Sequence, residues 1–531
     1  MRDQDRGLRV MRLISQLGLA ALIGVACAPA TRAADDLPPP MQPGTVIPEG
    51  QIDAAIAAVD DVAEDVMQRS GIPGMALVVV RDGKIVHAKG FGVRKVGEPA
   101  TVDADTVFQL ASLSKSISAT IVAHKVADGT VAWTTPLVEH LPWFELSDPY
   151  VTDHVTVGDM FAHRSGLPGH AGDDLEDIGF DRREVLERLR FLPLASFRDT
   201  YAYTNFGLTA AAEAVATAAG ADWESLADET LFEPLGMETA SFRFADFESR
   251  ENRAAGHVET ENGYAAKFVR HPDAQAPAGG VSASVTDLGK WLGMVMDTAS
   301  GPGDDAYFQA LLPAIQAQVV SGTIPFPAAR PGLYGFGFGT GVDASGRVSI
   351  SHSGAFALGT GTNFIMLPLE NVAIGVVTNA APIGAAESVA HTFMDLVEFG
   401  EAQRDWYPAY AGRFSVLSDP VGELVDQSPP ADPSGPGMDD SLLGTYANDY
   451  FGALEIADSG EGLEVRVGPG PTVYALSHWD GRVYVLEPRD ENNPEGSTSK
   501  LTFAPSAPRA RATSVTVEFL DGAGMGTFTR E

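Results

Sequence analysis

The sequence predicts an α+β fold, in which a sheet covered by helices is joined to a helical lobe, followed by a separate small all-β domain. Strand signals occur at both ends of residues 51–415, and helical patterns dominate the residues between them. Short β-prone runs fill residues 441–531. Strands from the two ends of a domain can share one sheet, so the helical middle is expected to form its own lobe beside a cleft.

The first domain is expected to open with a helix and a hairpin. Five apolar residues at helical spacing predict an amphipathic helix over residues 51–69: Ile52, Ile56, Val59, Val62 and Val66. The apolar runs 75–80 and 85–92 flank Asp82-Gly83. This pair is typical of the two-residue turn of a β-hairpin, which needs positive φ angles.

The remaining elements follow from apolar periodicity and from Gly and Pro punctuation. Helices are predicted over 112–128, 208–219, 223–232 and 388–399, and a buried strand over 374–378. Residues 416–440 are rich in Pro, Gly and acidic residues and are interpreted as a linker. The β-prone runs that follow, 463–467, 473–476, 482–486 and 515–519, predict a small barrel or sandwich.

The N-terminus has the pattern of a secretory signal peptide. Arginines precede an apolar run over 13–28, and small residues follow up to a plausible cleavage site after Ala33. We interpret residues 1–33 as the signal peptide and 34–50 as a leader, which predicts a periplasmic or secreted protein. A retained anchor and lipidation at Cys27 are the alternatives. Cys27 is the single cysteine, so no intrachain disulfide is expected.

The charge balance argues against several partners. The chain has 36 basic and 71 acidic residues, a formal charge of −35. Such a surface repels phosphate backbones and anionic membranes, so no nucleic-acid partner is expected. Beyond the N-terminal segment no stretch approaches the length of a membrane span, so the mature chain is expected to have none. The oligomeric state cannot be read from the sequence.

A nucleophile candidate begins the helix predicted at residue 112. Ser112 and Lys115 have S-x-x-K spacing, which places the amine beside the hydroxyl on one helix face. A serine needs a neighbouring base, and a lysine held partly neutral by burial can serve. The motif alone is weak, because Ser497 and Lys500 repeat it by chance in the β-rich tail. A structural helix start is the alternative interpretation of Ser112.

Two further motifs support the interpretation of Ser112 and Lys115 as a nucleophile and its base. Tyr203 and Asn205 form Y-x-N before a predicted helix, where a phenol can relay protons and an amide can orient a substrate or the lysine. His352-Ser353-Gly354 begins a β-prone run, and the N–H of Ala355 is a candidate oxyanion donor with that of Ser112. Taken singly, these residues also fit a core tyrosine, a capping asparagine and a surface histidine.

Together, S-x-x-K, Y-x-N and the H-x-G triplet resemble the serine β-lactamase-like superfamily, in its branch of class C β-lactamases, D-alanyl-D-alanine carboxypeptidases, D-aminopeptidases and esterases. The resemblance covers about residues 51–400 and includes 155–168, 231–237, 277–291 and 334–338; residues 443–450 resemble an appended β-barrel. It implies a β-lactamase/transpeptidase-like fold, with Ser112 acylated, Lys115 and Tyr203 as the base and acid in either order, and Asn205, His352, Ser353, Gly354 and Ala355 binding substrate.

The same resemblance implies a small-molecule or peptide substrate and neither a metal nor another cofactor. Classical β-lactamases carry Lys where this chain has His352, which argues against efficient β-lactam hydrolysis. A β-lactamase and a sensor or scaffold without turnover remain alternatives. His163, His170, Asp173 and Asp174 lie close in sequence, but without a known metal-ligand spacing.

Overall fold

The computed structural model describes residues 37–300, 305–322, 328–436, 439–506 and 510–531. The predicted signal peptide, Cys27 and the first residues of the leader lie outside the described residues. Over the described ranges, no helix is both long enough and apolar enough to cross a bilayer.

An eight-stranded antiparallel sheet forms the centre of the first domain, in the order β2-β1-β12-β11-β10-β9-β8-β7. The strands of this domain are β1 (Gly74–Arg81), β2 (Lys84–Gly92), β3 (Phe108–Gln109), β4 (Val258–Thr260), β5 (Gly263–Ala265), β6 (Ser282–Ala283), β7 (Val319–Val320), β8 (Leu333–Tyr334), β9 (Gly339–Val342), β10 (Val348–Phe356), β11 (Thr360–Leu367) and β12 (Val372–Thr378). Since β1 from one end of the domain pairs with β12 from the other, the two ends share the sheet as predicted.

Helices cover both faces of this sheet and form the lobe beside it. They are α1 (Gln51–Ser70), α2 (Leu113–Ala127), α3 (Pro149–His154), α4 (Val157–Phe161), α5 (Asp173–Asp177), α6 (Arg182–Arg188), α7 (Asn205–Ala219), α8 (Trp223–Ala227), α9 (Glu233–Leu235), α10 (Phe244–Ser249), α11 (Ala276–Gly279), α12 (Val285–Ser300), α13 (Ala306–Ile315), α14 (Ala385–Phe399) and α15 (Trp406–Phe414). A π-helical turn, Asp228–Phe232, continues α8.

Alternation along β1 divides the core into two layers. Met75, Leu77 and Val79 pack with α1 and α14, whereas Ala76 and Val78 point into the core shared with α12 and the helical lobe. All are fully buried, because both faces of the strand are covered. The hairpin turn forms as expected, with Asp82 at φ 50° and Gly83 at φ 69°.

The C-terminal residues form a separate nine-stranded sheet that nearly closes on itself. Its strands are β13 (Gly444–Asn448), β14 (Gly452–Asp458), β15 (Leu463–Val467), β16 (Val473–Ala475), β17 (Ser477–Asp480), β18 (Val483–Leu486), β19 (Ser499–Ala504), β20 (Ser514–Val517) and β21 (Thr527–Arg530). The order runs from β16 to β17 around the sheet, and Leu476 alone connects these two edge strands. Both parts of the predicted fold class are therefore confirmed.

The barrel docks on the helical lobe through Tyr450, whose side chain is buried. Its hydroxyl donates to Asp174 Oδ1 at 3.1 Å and accepts from the Gly172 N–H at 3.1 Å. Arg188 Nη1 donates to the Tyr450 carbonyl at 2.9 Å from the other side. The contact lies at the N-terminal end of α5, beside the cleft between sheet and lobe.

Candidate active site

Ser112 lies at the N-terminal end of α2, directly after a residue with a left-handed backbone conformation. Ala111 has φ 48°, a conformation that disfavours residues with a Cβ, and Ser112 follows at φ −68° as the N-cap. The Ser114 hydroxyl donates to the Ala111 carbonyl at 2.6 Å and accepts from the Val281 N–H at 2.9 Å. This turn is thus held from both sides, and the Ser112 side chain lines the cleft.

Lys115 is fully buried one turn into α2. Its Nζ lies 3.1 Å from Ser112 Oγ, 2.7 Å from Asn205 Oδ1 and 3.0 Å from the Ala278 carbonyl oxygen. Burial lowers the pKa of the amine to about 7, although the negative charge of Asp173 opposes this shift. A neutral fraction of Lys115 is therefore present near neutral pH.

The two fixed acceptors around Lys115 determine where its lone pair points. A neutral amine has two N–H groups and one lone pair, and neither Asn205 Oδ1 nor the Ala278 carbonyl can donate a hydrogen. Both N–H groups are taken by these acceptors, so the lone pair is left for the Ser112 hydroxyl.

Tyr203 and Asn205 reach the cleft from the start of α7. Thr204, between them, caps this helix by accepting from the Gly207 N–H at 2.9 Å, so the Asn205 side chain is free for other contacts. Lys115 Nζ lies 4.5 Å from the centre of the Tyr203 ring. Burial raises the pKa of Tyr203, and its interaction with the Ser112 hydroxyl lowers it, with burial dominating. This shift favours the neutral phenol form of Tyr203.

Strand β10 carries the third predicted motif, His352-Ser353-Gly354, and brings Gly354 next to Ser112. A Cβ on Gly354 would lie 2.6 Å from the Leu110 carbonyl oxygen and 2.9 Å from the Ser112 nitrogen, so only glycine permits this approach. Pairing between β10 and β9 ends at Ser351. Farther along β10, Ala355 lines the cleft with Ser112.

His352 and Ser353 point to opposite faces of β10. The His352 Nδ1 lies 2.6 Å from the Ser353 carbonyl and therefore donates, which leaves Nε2 to accept from the Tyr334 hydroxyl at 2.8 Å. Burial, with a contribution from Lys115, lowers the pKa of His352 to about 3. Ser353 instead accepts from Asn363 Nδ2 at 2.9 Å and interacts with the buried Glu387. Neither side chain lines the cleft with Ser112, so a direct substrate contact stays a prediction for both.

Asp173 was not predicted to belong to this site. It accepts from Asn205 Nδ2 at 3.2 and 3.0 Å and contacts His170 Nδ1 at 3.0 Å. In the sequence, His170 and Asp173 are only two polar residues three positions apart, and this spacing by itself indicates no role in the site. No group of three or more potential ligands is arranged for a metal ion within the described ranges.

The cleft itself has a volume of about 390 Å³ and receives residues from both domains. Five carboxylates line it: Asp173, Glu176, Asp177, Asp419 and Glu491. Arg270 is the neighbouring cation, and it donates to Glu176 Oε2 at 2.6 Å. Glu491, from the loop after β18, accepts from the Ala357 N–H at 2.5 Å. The cleft is thus acidic, and the C-terminal domain forms part of its wall.

The second S-x-x-K copy lies away from this chemistry. Ser497 is buried and accepts from the Val421 N–H at 3.0 Å, while Lys500 pairs with Glu423. Ser497 and Lys500 therefore hold the linker against the barrel.

Known proteins resemble this chain over most of its length. It is 28% identical over 432 residues to the unguisins hydrolase ungD of Aspergillus violaceofuscus, covering 74% of this chain and 75% of that protein. It is 25% identical over 353 residues to the D-alanyl-D-alanine-carboxypeptidase/endopeptidase AmpH of Escherichia coli, covering 64% of this chain and 88% of that protein.

A solved structure shares the fold. The octameric penicillin-binding protein homologue from Pyrococcus abyssi superposes with a TM-score of 0.56 at 17% identity, covering 87% of this chain and 98% of that one. The sequence model of the Beta-lactamase family matches residues 59–398, more than half of the chain. The predicted resemblance is confirmed, and the chain belongs to the Beta-lactamase family of hydrolases.

Proposed function

We propose that this protein is a secreted serine hydrolase that cleaves an amide or ester bond through an acyl-enzyme on Ser112. The observation that carries the proposal is the buried Lys115 Nζ, 3.1 Å from Ser112 Oγ with its other contacts on oxygen acceptors. We infer that Lys115 rather than Tyr203 is the base, because its Nζ lies 3.1 Å from Ser112 Oγ and burial lowers the pKa of Lys115 to about 7 while it raises that of Tyr203.

Acylation begins when neutral Lys115 takes the Ser112 proton while Oγ bonds to the substrate carbonyl carbon. The carbonyl electron pair moves onto oxygen, and we propose that the N–H groups of Ser112 and Ala355 stabilise it there. When the tetrahedral intermediate collapses, Tyr203 gives its proton to the leaving amine or alcohol, and protonated Lys115 restores it. A water then attacks the acyl carbon and gives its proton by way of Tyr203 to Lys115. The bond between that carbon and Ser112 Oγ breaks, Lys115 returns the proton to Oγ, and the acid product leaves.

The substrate is proposed to be a peptide or another small amide or ester without a carboxylate close to the scissile bond. The excess of carboxyl groups over cations in the cleft disfavours such a group, even though Arg270 pairs with Glu176 and burial raises the pKa of Asp177 and Glu491. His352 adds no positive charge, since its pKa is lowered to about 3. Hydrolase and peptidase names among the relatives support amide or ester cleavage.

Export is proposed from the sequence of residues 1–33, with cleavage before Ala34. Determining the N-terminal residue of the protein after expression with its natural leader tests this part. A mature chain that begins at Ala34 supports it, and a lipidated Cys27 or an intact Met1 contradicts it.

The experiment that tests the chemistry is hydrolysis of p-nitrophenyl acetate by the purified chain from residue 34, with Ser112→Ala and Ser497→Ala compared. Both substitutions remove a serine from an S-x-x-K sequence, so they are chemically matched. We expect Ser112→Ala to abolish turnover and the Ser112 acyl adduct in intact-mass spectra, and Ser497→Ala to retain both. Loss of activity in Ser497→Ala alone would contradict the assignment.

A further inference from the structure

An apolar wall stands at the mouth of the catalytic cleft. Three large apolar side chains of one short segment are exposed there, Val416 by 62%, Leu417 by 46% and Val421 by 45%, and all three line the cleft that contains Ser112. Exposed apolar side chains gathered at a site mark a binding surface more often than scattered ones do. We call residues 416–421 the strap.

The strap is fixed at both ends. Upstream, α15 packs on α14, with the Trp406 indole donating to Asp395 Oδ2 at 2.7 Å. Downstream, the Val421 N–H donates to Ser497 Oγ at 3.0 Å, and the Val421 carbonyl accepts from the Thr498 N–H at 2.9 Å. The exposed side chains are therefore held at the cleft by hydrogen bonds in which they take no part.

Beyond the strap, the cleft continues into a larger cavity of about 730 Å³, which we call the outer cavity. The two spaces share Ala357, Pro382, Leu417 and Pro494 in their walls. Phe268 and Ile383 also line the outer cavity, next to charged side chains such as Glu259, Lys267 and Asp490. The cleft at Ser112 and the outer cavity thus adjoin at Leu417.

Both the strap and Pro494 lie outside residues 59–398, the part matched by the family. The linker and the C-terminal barrel therefore add one wall to a space whose other walls, including Phe268 and Ile383, belong to the family domain.

We propose that the strap and the outer cavity bind an extended apolar portion of the substrate, such as a long acyl chain or a run of apolar side chains. This proposal rests on the proposed function and narrows its substrate class. The carboxyl groups of the cleft and the apolar side chains of the strap line the same space. Together they favour an uncharged, amphipathic substrate over a small anionic one.

The test compares p-nitrophenyl octanoate with p-nitrophenyl acetate. The full mature chain is assayed beside Val416→Asn/Leu417→Asn, and the readout is the ratio of kcat/KM for the two esters. Val342→Asn/Val348→Asn is the matched control, because both valines are 52% exposed and pair across β9 and β10. Val416→Ile/Leu417→Met keeps the strap apolar.

We expect the octanoate-to-acetate ratio to fall about 10-fold in the strap variant, as the loss of a few methylene contacts produces. The control and the conservative variant are expected to keep the wild-type ratio. An unchanged ratio in the strap variant, with acetate turnover intact, overturns the inference and leaves the proposed function standing. In a second outcome, the wild-type protein binds phosphatidylcholine vesicles, the strap variant does not, and the ratio for the two esters is unchanged. This result would show that the strap binds a lipid surface, and it would also overturn the inference.

Absence of any Ser112-dependent turnover contradicts the proposed function instead. Calorimetric titration of octanamide into the wild-type and strap-variant proteins then tests apolar binding at the strap separately from turnover. Weaker binding in the strap variant supports the inference, and equal or undetectable binding overturns it.

Discussion

The side-chain amide of Asn205 donates to both carboxylate oxygens of Asp173, at 3.2 and 3.0 Å. This contact sets the orientation of the amide, because only its nitrogen can donate to a carboxylate. The amide oxygen is consequently directed to Lys115 Nζ at 2.7 Å. Asp173 thereby orients Asn205, which in turn positions Lys115, and the negative charge of Asp173 also raises the pKa of Lys115.

Replacing Asp173 by Asn is expected to lower kcat by roughly 10- to 100-fold, because Asn205 is no longer held in one orientation. The acidic limb of the kcat/KM profile is expected to move to lower pH, since Asp173 raises the pKa of Lys115. Asp177→Asn is the control, because it makes the same carboxyl-to-amide change in the same cleft, at a side chain that bonds Asn492 and not Asn205. An equal shift in the control, or no shift in Asp173→Asn, would show that Asp173 has a structural role only.

Hydrolysis by the wild-type chain is expected to rise with pH through an inflection near pH 7. Below this value Lys115 is protonated and has no lone pair for Ser112, and above it the neutral amine predominates. Lys115→Arg keeps the positive charge at all pH values and is expected to lose about 10²- to 10⁴-fold in kcat. A wild-type profile that stays flat down to pH 5 would exclude Lys115 as the base.

Gly354→Ala is expected to reduce kcat by about 10²- to 10³-fold, the cost of a misplaced oxyanion donor. The added Cβ would meet Leu110 and Ser112 backbone atoms at 2.6 and 2.9 Å, so β10 must move away from the nucleophile. Gly341→Ala makes the same change on neighbouring β9, where the nearest atom is 3.7 Å away. Steady-state kinetics with circular dichroism separate this effect from unfolding, and equal losses in both variants would contradict it.

Tyr450→Phe is expected to destabilise the chain by about 1–3 kcal/mol, because it leaves buried polar partners unsatisfied. Those partners are Asp174 and the Gly172 N–H at the edge of the cleft. Tyr474→Phe removes a hydroxyl from the same barrel, where the ring packs on Phe519, and is expected to cost less. Urea denaturation measures both, and equal stability of the two variants would argue against docking through Tyr450.

Local patterns were sufficient for much of the fold. The hairpin at Asp82-Gly83, helix α1 and the start of α2 at Ser112 form where periodicity and turn chemistry predict them. Helix α7 begins three residues earlier than its apolar pattern, because Thr204 caps it. These features depend on neighbours in sequence, so the sequence alone determines them.

The sequence by itself therefore determined the family, the fold class and the grouping of Lys115, Tyr203 and Asn205 with Ser112. Only the tertiary structure decided that Asp173 orients Asn205, that the two faces of β10 separate His352 from Ser353, and that the strap and the barrel reach the cleft. The reason is physical: these contacts join residues far apart in the chain, and their distances, burial and pKa shifts exist only once the layers have packed.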